Sequence, residues 1–301
     1  MSNLLIRTLT GIAIVTVLTT AILFSSLTYV VLMMIIIALT MAEFYRIIRV
    51  RLNRPNVPVG ILIGLVMFMI SVVYSIKIAP PELIAVLIPL FIMVFVVELY
   101  RLQKNPLANV GLTFLGIIYV ALPFSLFNFM VFEGVAENPD VDIASTQIQY
   151  VNEFLDFFLF LKPDMHIVYN PSFLMAFFVI IWAYDSVAYL AGVKLGKHRL
   201  FRSVSPKKSW EGFIAGLVFT PATAYIMYKI FGQITLTDWI VYAIIIVIFS
   251  TFGDLVESLF KRSISLKDSG KILPGHGGLL DRFDSVLLAA PMAYLYLELI
   301  R

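Results

Sequence analysis

Residues 258–284, SLFKRSISLKDSGKILPGHGGLLDRFD, separate two strongly apolar segments near the C-terminal end of the chain. This stretch concentrates lysines, arginines and aspartates among several glycines, one proline and one histidine. Charged residues at the edge of apolar spans are costly unless they handle something charged. We therefore predict a membrane-spanning helix on each side of the stretch and, within it, a site for phosphates and their metal ions.

The composition of the chain is that of a membrane protein. Its 301 residues are 60% hydrophobic and 14% charged, and the mean hydropathy is +0.95. A soluble domain carries roughly 25% charged residues. Apolar runs of about 20 residues, the length of a bilayer-spanning helix, recur along the chain. These features predict an all-α polytopic membrane protein, and the absence of cysteine excludes disulfides, thiolate metal sites and cysteine nucleophiles.

The hydrophobic runs predict about nine transmembrane helices. The predicted spans are residues 4–24, 27–47, 57–78, 83–102, 110–132, 171–193, 210–231, 239–259 and 284–300. The first run is counted as a span rather than a signal peptide, because a second span follows it at once. An odd number of spans places the two termini on opposite sides of the membrane.

The loops between the predicted spans differ in charge. Lysine and arginine concentrate after spans two, four, six and eight, whereas the alternate loops are short, uncharged or acidic. Because cytoplasmic loops are enriched in lysine and arginine, we predict a cytoplasmic N-terminus and a C-terminus outside. The chain then divides into five N-terminal spans (1–132), an acidic extracytoplasmic insertion (133–170) and a C-terminal catalytic region of four spans (171–301). Within the insertion, residues 151–161 predict an interfacial helix or a buried flap.

Acidic residues inside predicted spans indicate function, since an ionised group in a bilayer is expensive. Asp254, Asp281 and Asp284 lie toward the cytoplasmic ends of spans eight and nine, and their oxygen ligands suit Mg²⁺. The alternative is that they form structural ion pairs, and we favour the metal site. For Glu257, an ion pair with Lys261 four residues further along the helix carries equal weight.

The basic loop before span seven, RSVSPKKSWEG at residues 202–212, is a candidate phosphate site. The side chains of Ser205, Lys207 and Lys208 precede a helix whose N-terminal amides can bind an anion. The alternative is a topological role, with the lysines as cytoplasmic anchors and Trp210 at the membrane interface. Asp185, near the cytoplasmic end of span six, lies at a depth similar to that of the other acids.

In the glycine-rich part of the opening stretch, Gly277 and Gly278 allow backbone amides to approach a ligand closely. His276 beside them could donate a hydrogen bond to a phosphate or transfer a proton, or it could be structural. The sequence contains no Walker A loop, HExxH or GxSxG motif. P-loop, zinc-hydrolase and serine-hydrolase chemistry therefore lack support.

Two matching Glu-x-x-Arg pairs, Glu43 with Arg46 and Glu98 with Arg101, lie at the inner ends of spans two and four. Their spacing favours local ion pairs at the membrane interface. Contact with lipid headgroups is the alternative.

Residues 258–284 resemble, position for position, the signature of the phosphatidate cytidylyltransferases, the CDP-diacylglycerol synthases. That signature reads S-x-φ-K-R-x₄-K-D-x-G-x₂-φ-P-x-H-G-G-φ-x-D-R-φ-D, where φ is apolar. The blocks D-S-x-A-Y at residues 185–189 and S-P-K-K-x-x-E-G at residues 205–212 are similar to further blocks of the family. The resemblance covers the chain from residue 185 onward, whereas the N-terminal spans share only hydropathy with the family.

The resemblance implies transfer of CMP from CTP to phosphatidate, which yields CDP-diacylglycerol and pyrophosphate in phospholipid biosynthesis. It implies Mg²⁺ as cofactor, with K⁺ as a candidate second ion. The metal ligands and catalytic residues would be Asp254, Asp281 and Asp284, with Lys267, Asp268 and His276 as further catalytic residues. The substrate-binding residues would be Asp185, Ser205, Lys207, Lys208, Lys261, Arg262, Gly277, Gly278 and Arg282.

The implied partners are CTP, phosphatidate and membrane lipids, without nucleic acid, and the sequence leaves a homodimer open. We expect an integral protein of a bacterial inner membrane with its active site facing the cytoplasm. One alternative is a CTP-dependent polyprenol or farnesol kinase, which would transfer the γ-phosphate. Another is a membrane anion transporter, whose charges should reach the middle of the membrane. Here they stop in the cytoplasmic third, which weighs against transport.

Overall fold

The computed structural model describes residues 3–49, 53–78, 80–137, 165–266, 269–270 and 277–300. The chain forms two compact units. The first comprises Met1–Pro171 with Asp268–Arg282, and the second comprises Ser172–Lys267 with Phe283–Arg301. The expected division at residues 132 and 170 stays a prediction.

The first unit is built from helices that follow one another closely. Its elements are α1 (Asn3–Phe24), α2 (Ser26–Ile48), α3 (Val57–Ser75), α4 (Leu87–Arg101, after a 3₁₀ turn at Pro81–Val86), α5 (Pro106–Gly116), α6 (Leu122–Leu126) and α7 (Asn128–Val131). A short π-helix, Ile117–Ala121, joins α5 to α6 without a break. The predicted fifth span is therefore a composite of short helices.

The second unit contains α8 (Ser172–Leu195), α9 (Trp210–Phe231), α10 (Leu236–Ser263) and most of α11 (Leu280–Ile300). Among the described residues, eight helical stretches are long and apolar enough to cross a membrane, and the described part of α1, Thr8–Phe24, forms a shorter apolar helix. This confirms the prediction of an all-helical polytopic membrane protein. The orientation of the termini stays a prediction.

Helix ends differ from the predicted spans where charged residues lie. Helix α11 begins at Leu280, four residues before the predicted start of span nine, so that Asp281 and Asp284 lie within the helix. Helix α10 likewise continues to Ser263, beyond the predicted end at residue 259. A hydropathy pattern ends a span at its first charged residues. The helix itself continues past those residues, because its backbone hydrogen bonds do not depend on side-chain polarity.

Two short antiparallel hairpins were not predicted. Strands β1 (Phe132–Glu137) and β2 (Met165–Tyr169) pair at the edges of the predicted acidic insertion, and β3 (Arg199–Phe201) pairs with β4 (Ser205–Ser209) in the basic loop. Hydropathy missed them because each strand is short. The predicted helix at 151–161 lies outside the described residues.

A tyrosine on α2 fixes the packing of α2 against α3 and α5. The hydroxyl of Tyr45 donates to the carbonyl oxygen of Thr113 at 2.7 Å. Its ring fills the space beside Gly60 and Gly116, where a Cβ atom on either glycine would overlap the ring. These helices approach closely because the two glycines carry no side chain.

In the second unit, aromatic residues join α8 to α10. Phe173 stacks on Trp239 with ring centroids 5.4 Å apart, and the hydroxyl of Tyr242 donates to the carbonyl oxygen of Phe173. About three turns further along α8, the hydroxyl of Tyr184 hydrogen-bonds with that of Thr251 at 2.7 Å. This packing holds α8 beside α10 at Tyr184, the residue that precedes Asp185.

Candidate active site

A cavity of about 550 Å³ lies in the second unit where α8 ends and α9 begins. Its lining includes Asp185, Arg199, Lys207, Lys208 and Ser209. Sites for small molecules typically measure about 300–1,000 Å³. The cavity is therefore large enough for a small anionic ligand and carries the cations to bind one.

The β3–β4 hairpin sets the two lysines of the cavity in different surroundings. Successive side chains of a strand point to opposite faces, and Lys207 is exposed whereas Lys208 is half-buried. Ser209 ends the hairpin and caps α9, because its Oγ accepts a hydrogen bond from the backbone N–H of Gly212. The predicted phosphate loop is thus a strand that leads directly into a helix N-terminus, with Ser205 at its start.

Asp254 on α10 is held by two side chains of the second unit. The Nζ of Lys208 lies 2.6 Å from its Oδ2, and the Oγ of Ser258 donates to its Oδ1 at 3.2 Å. The carboxylate and the ammonium group each remain about a quarter exposed. The predicted metal ligand and the predicted phosphate-binding lysine are therefore direct partners.

Glu257 and Lys261 form an ion pair one helical turn apart on α10. The Glu257 side chain is 1% exposed, so the charges are almost fully removed from water. Of the two roles considered for Glu257, the structure shows the ion pair. The same contact places the ammonium group of Lys261 against a carboxylate.

Asp284 lies near the start of α11, opposite α10. A Cβ atom on Gly253 of α10 would overlap the carbonyl oxygen of Asp284, so only glycine permits this approach of the two helices. The backbone N–H of Ser285 donates to Oδ1 of Asp284 at 2.6 Å. The charged groups that act on the Asp284 carboxyl are Asp254, Glu257 and Lys208.

The charge balance of this cluster favours an added cation. Three carboxylates, those of Asp254, Glu257 and Asp284, face two ammonium groups, those of Lys208 and Lys261. The acids of the cluster outnumber its lysines by one, and carboxylate oxygens are the ligands that Mg²⁺ prefers. In the described part of the chain, no three Asp, Glu or His side chains are already arranged around a common point. The carboxylate oxygens of the cluster fit a hard cation. One of them, Oδ2 of Asp254, is in contact with the ammonium group of Lys208.

Asp281, in the first unit, is held by backbone amides. Its Oδ2 accepts hydrogen bonds from the N–H of Gly278 at 2.8 Å and of Ser269 at 3.0 Å. Gly277, just before this contact, has a positive φ of 79°, a conformation that glycine adopts without strain. The glycines were predicted to bring backbone amides to a ligand. In the structure, the amide of Gly278 binds the carboxylate of Asp281 instead.

Glu43 on α2 lies beside Gly278, although its sequence context predicted only a local ion pair or a headgroup contact. The structure contradicts the expected ion pair with Arg46. The carboxylate is buried, with 2% of the residue exposed, and its Oε2 accepts a hydrogen bond from the N–H of Leu280 at 2.8 Å. The signal was present in the sequence, because Glu43 is an acid inside an apolar span.

The second predicted pair is present. The guanidinium of Arg101 lies 2.6 Å from Oε2 of Glu98, and the side-chain amide of Asn109 donates to Oε1 at 2.6 Å. Both carboxylate oxygens of Glu98 are therefore satisfied within the first unit. This confirms the local ion pair.

Of the remaining predicted site residues, Asp185 lines the cavity, and the others lie apart from it or outside the described residues. Asp185, Arg262 and Arg282 are exposed, and the guanidinium of Arg262 donates to the carbonyl oxygen of Leu266 at 3.3 Å. Lys267, Asp268 and His276 lie outside the described residues.

One further contact stabilises the basic hairpin. Nδ1 of His198 lies 2.6 Å from Oε1 of Glu211, and the backbone N–H of His198 also donates to this carboxylate. Glu211, the acid at the start of α9, thus ties the hairpin to the helix.

The fold and the site define a polytopic helical membrane protein whose lysines and carboxylates meet beside a cavity in its second unit. The model of the cytidylyltransferase family matches residues 5–300 of the chain. The chain belongs to the cytidylyltransferase family.

Several relatives named phosphatidate cytidylyltransferase are similar to the chain. The protein of Staphylococcus haemolyticus is 35% identical over 186 residues, which cover 61% of this chain and 65% of the relative. That of Haemophilus influenzae is 41% identical over 159 residues, 50% of this chain and 54% of the relative. The chain thus spans less than two thirds of the length of these relatives.

Proposed function

We propose that this protein transfers CMP from CTP to phosphatidate, forming CDP-diacylglycerol and releasing pyrophosphate. Family membership and the names of the similar proteins support the reaction. The structural observation that carries the proposal is the Lys208–Asp254 contact beside a cavity lined by further cations. Such a site offers positive charge to phosphates and carboxylate oxygens to a metal ion.

The proposed reaction forms one phosphorus–oxygen bond and breaks another. A phosphate oxygen of phosphatidate attacks the α-phosphorus of CTP, and the bond from that phosphorus to the bridging oxygen of the β-phosphate breaks. Pyrophosphate leaves with the bonding electrons. The attacking phosphate is already anionic, so that the reaction requires no strong general base.

The barrier that the protein must lower is mainly electrostatic. Two anions must approach each other, and charge grows on the leaving pyrophosphate. Arg199, Lys207 and Lys208, which line the cavity, can offset this charge and orient the phosphates. We include Lys261, Arg262 and Arg282 in the proposal as further residues that bind substrate phosphates.

Asp254, Asp281 and Asp284 are the proposed ligands of Mg²⁺, with K⁺ as the candidate second ion. Family members use a divalent metal ion, which supplies charge stabilisation to phosphate oxygens when bound. Asp254 and Asp284 lie in the cluster with an excess of negative charge, and Asp281 is oriented by two backbone amides. The protein's own part is to hold these oxygens in place and to balance their charge with Lys208.

The proposal includes the predicted orientation. A cytoplasmic N-terminus places the basic loops, and with them the candidate site, on the side where CTP is available. The phosphate of a membrane-embedded phosphatidate lies in the headgroup layer of the same face. Both substrates can then reach the site without crossing the bilayer.

Products distinguish this reaction from its alternatives. Purified protein in detergent receives phosphatidate, Mg²⁺ and CTP labelled at the α-phosphorus, and a labelled lipid is expected together with one pyrophosphate per lipid. CTP labelled at the γ-phosphorus should label pyrophosphate and leave the lipid unlabelled. Label transfer from the γ-position with CDP release would show a kinase. Absence of any CMP-bearing lipid over a range of Mg²⁺ and K⁺ concentrations would refute the proposal.

A further inference from the structure

We infer that Glu43 is a positioning residue, which fixes the described residues before α11 (269–270 and 277–279, here the glycine-rich segment) and thereby the carboxylate of Asp281. The inference rests on the proposed function only in so far as Asp281 serves the reaction. All residues that carry it belong to the first unit. It assigns a task to the N-terminal spans, which showed no motif of the family.

The first observation is a hydrogen bond between distant parts of the chain. Oε2 of Glu43 accepts from the backbone N–H of Leu280, the first residue of α11, at 2.8 Å. The first N–H groups of a helix have no acceptor within the helix and need one from outside. A carboxylate is the favoured partner there, because its charge also interacts well with the helix dipole. Glu43 thus stabilises the start of α11 from α2.

The second observation is that the segment is shaped around this carboxylate. A Cβ atom on Gly270 or on Gly278 would overlap or crowd the carboxylate of Glu43, and the one on Gly278 would also overlap the hydroxyl of Ser269. Two glycines of the described segment therefore leave the space that the carboxylate fills. Substituting either residue forces the carboxylate or the segment to move.

The third observation links Glu43 to Asp281. The N–H groups of Ser269 and Gly278, which lie beside Glu43, are the donors that hold the carboxylate of Asp281. Leu280, which is bound to Glu43, directly precedes Asp281 in the chain. Displacement of this segment would therefore move Asp281 and both of its amide donors together.

Burial explains why the segment stays in place. The residue Glu43 is 2% exposed, and its Oε1 accepts no hydrogen bond from the described residues. A buried carboxylate that lost the amide of Leu280 would lose a hydrogen bond that offsets its burial, at high cost in an apolar environment. The N-terminal spans therefore favour the docked segment energetically. Removing partners that orient a metal ligand typically lowers metal affinity or activity by about 10–100-fold.

The main test replaces Glu43 with methionine, which has a similar length and no hydrogen-bond acceptor of comparable strength. Glu98→Met is the matched control, because Glu98 is another buried glutamate at the end of a helix of the same unit, with partners outside the segment. Hydrogen exchange of the peptide that covers Leu280 should accelerate about tenfold or more in Glu43→Met. It should stay as in wild type in Glu98→Met. Unchanged protection in Glu43→Met would overturn the inference.

Activity supplies the second readout. Glu43→Met should raise the Mg²⁺ concentration for half-maximal rate by about tenfold. Glu43→Gln, which retains an oxygen acceptor, should give an intermediate value, whereas Glu98→Met should leave it unchanged. An equal loss of rate at every Mg²⁺ concentration in Glu43→Met would indicate a merely structural role and contradict the inference.

If Glu43→Met does not fold, two glycine substitutions provide the same test. Gly278→Ala places a methyl group against the carboxylate of Glu43, whereas a Cβ atom on Gly111 in α5 meets no atom within 4 Å. Gly278→Ala should accelerate exchange at Leu280, and Gly111→Ala should not. Equal effects of the two substitutions would contradict the inference.

The exchange measurement needs no substrate. If wild-type protein makes no CMP-bearing lipid but Glu43→Met still releases the Leu280 amide, the proposed function fails and the structural part of the inference stands. If the lipid forms and exchange is unaffected, the inference fails and the proposed function stands.

Discussion

The carboxylates of the two units are held by different kinds of donor. In the first unit, Glu43 and Asp281 accept hydrogen bonds from backbone N–H groups of the glycine-rich segment and of α11. In the second unit, Asp254 and Glu257 face the ammonium groups of lysines. The two arrangements have different consequences for chemistry.

A backbone donor cannot leave its acceptor unless the segment that carries it moves. An ammonium group on a flexible side chain can be replaced by another cation, and it can turn to a phosphate instead. The amide-held carboxylates are therefore suited to fixing geometry, whereas the lysine-held ones are suited to exchange during a reaction. Substitutions that separate these two behaviours test the comparison.

The largest effect is expected from substituting the aspartates of α11. Asp284→Asn or Asp281→Asn should lower turnover at least about a hundredfold, because loss of a proposed metal ligand would remove several kcal/mol of charge stabilisation. The measurement is the rate of CMP-lipid formation at saturating CTP. Both variants should elute and melt like wild type, since asparagine retains an acceptor for the neighbouring amides. Near-normal rates in both would show that the two acids are structural.

A smaller effect should distinguish the two lysines of the β3–β4 hairpin. Lys208→Met removes the partner of Asp254 and should lower kcat/KM about tenfold or more, as expected for a hydrogen bond between charged groups. Lys207→Met is the matched comparison, because Lys207 also lines the cavity but is exposed, whereas Lys208 contacts Asp254. We expect less than about a threefold change there. Equal losses would show that the lysines act only through their overall charge.

The sequence predicted the number and type of the long elements, because a bilayer demands long apolar helices and hydropathy detects them directly. It singled out the acids of α10 and α11 because an ionised group in an apolar span is costly, and their role as metal ligands stays a prediction. It did not predict the hairpin of the basic loop or the start of α11 at Leu280. Those features depend on hydrogen bonds between backbone groups, which leave little trace in hydropathy.

Glu43 and Glu98 show most clearly what a local pattern cannot predict. Both begin a Glu-x-x-Arg motif at the end of an apolar helix. Glu98 forms the expected ion pair, whereas Glu43 binds the N–H of Leu280, 237 residues further along the chain. The motif is the same, and the partner is decided by tertiary packing. The burial cost of an acid in an apolar span would have selected Glu43 without knowledge of its partner.

The smallest expected effect concerns ionic strength. The side chains of Lys208 and Asp254 are each more than a quarter exposed, so that added salt screens their interaction and the attraction of the cavity lysines for CTP. Raising choline chloride, whose cation cannot ligate to carboxylates as a metal does, should increase the KM for CTP about twofold. This corresponds to roughly 0.5 kcal/mol, a typical value for an exposed ion pair.

Added salt should weaken the interactions of Lys208 but not the hydrogen bond between Glu43 and Leu280. The KM of Lys208→Met should depend less on salt, and hydrogen exchange at Leu280 should not change, because its bond to Glu43 is buried. A salt-dependent release of the Leu280 amide would contradict the distinction between the two kinds of site. A KM for CTP that is independent of salt would remove Lys208 from the proposed phosphate site, because a partly exposed ammonium group cannot attract a nucleotide without being screened.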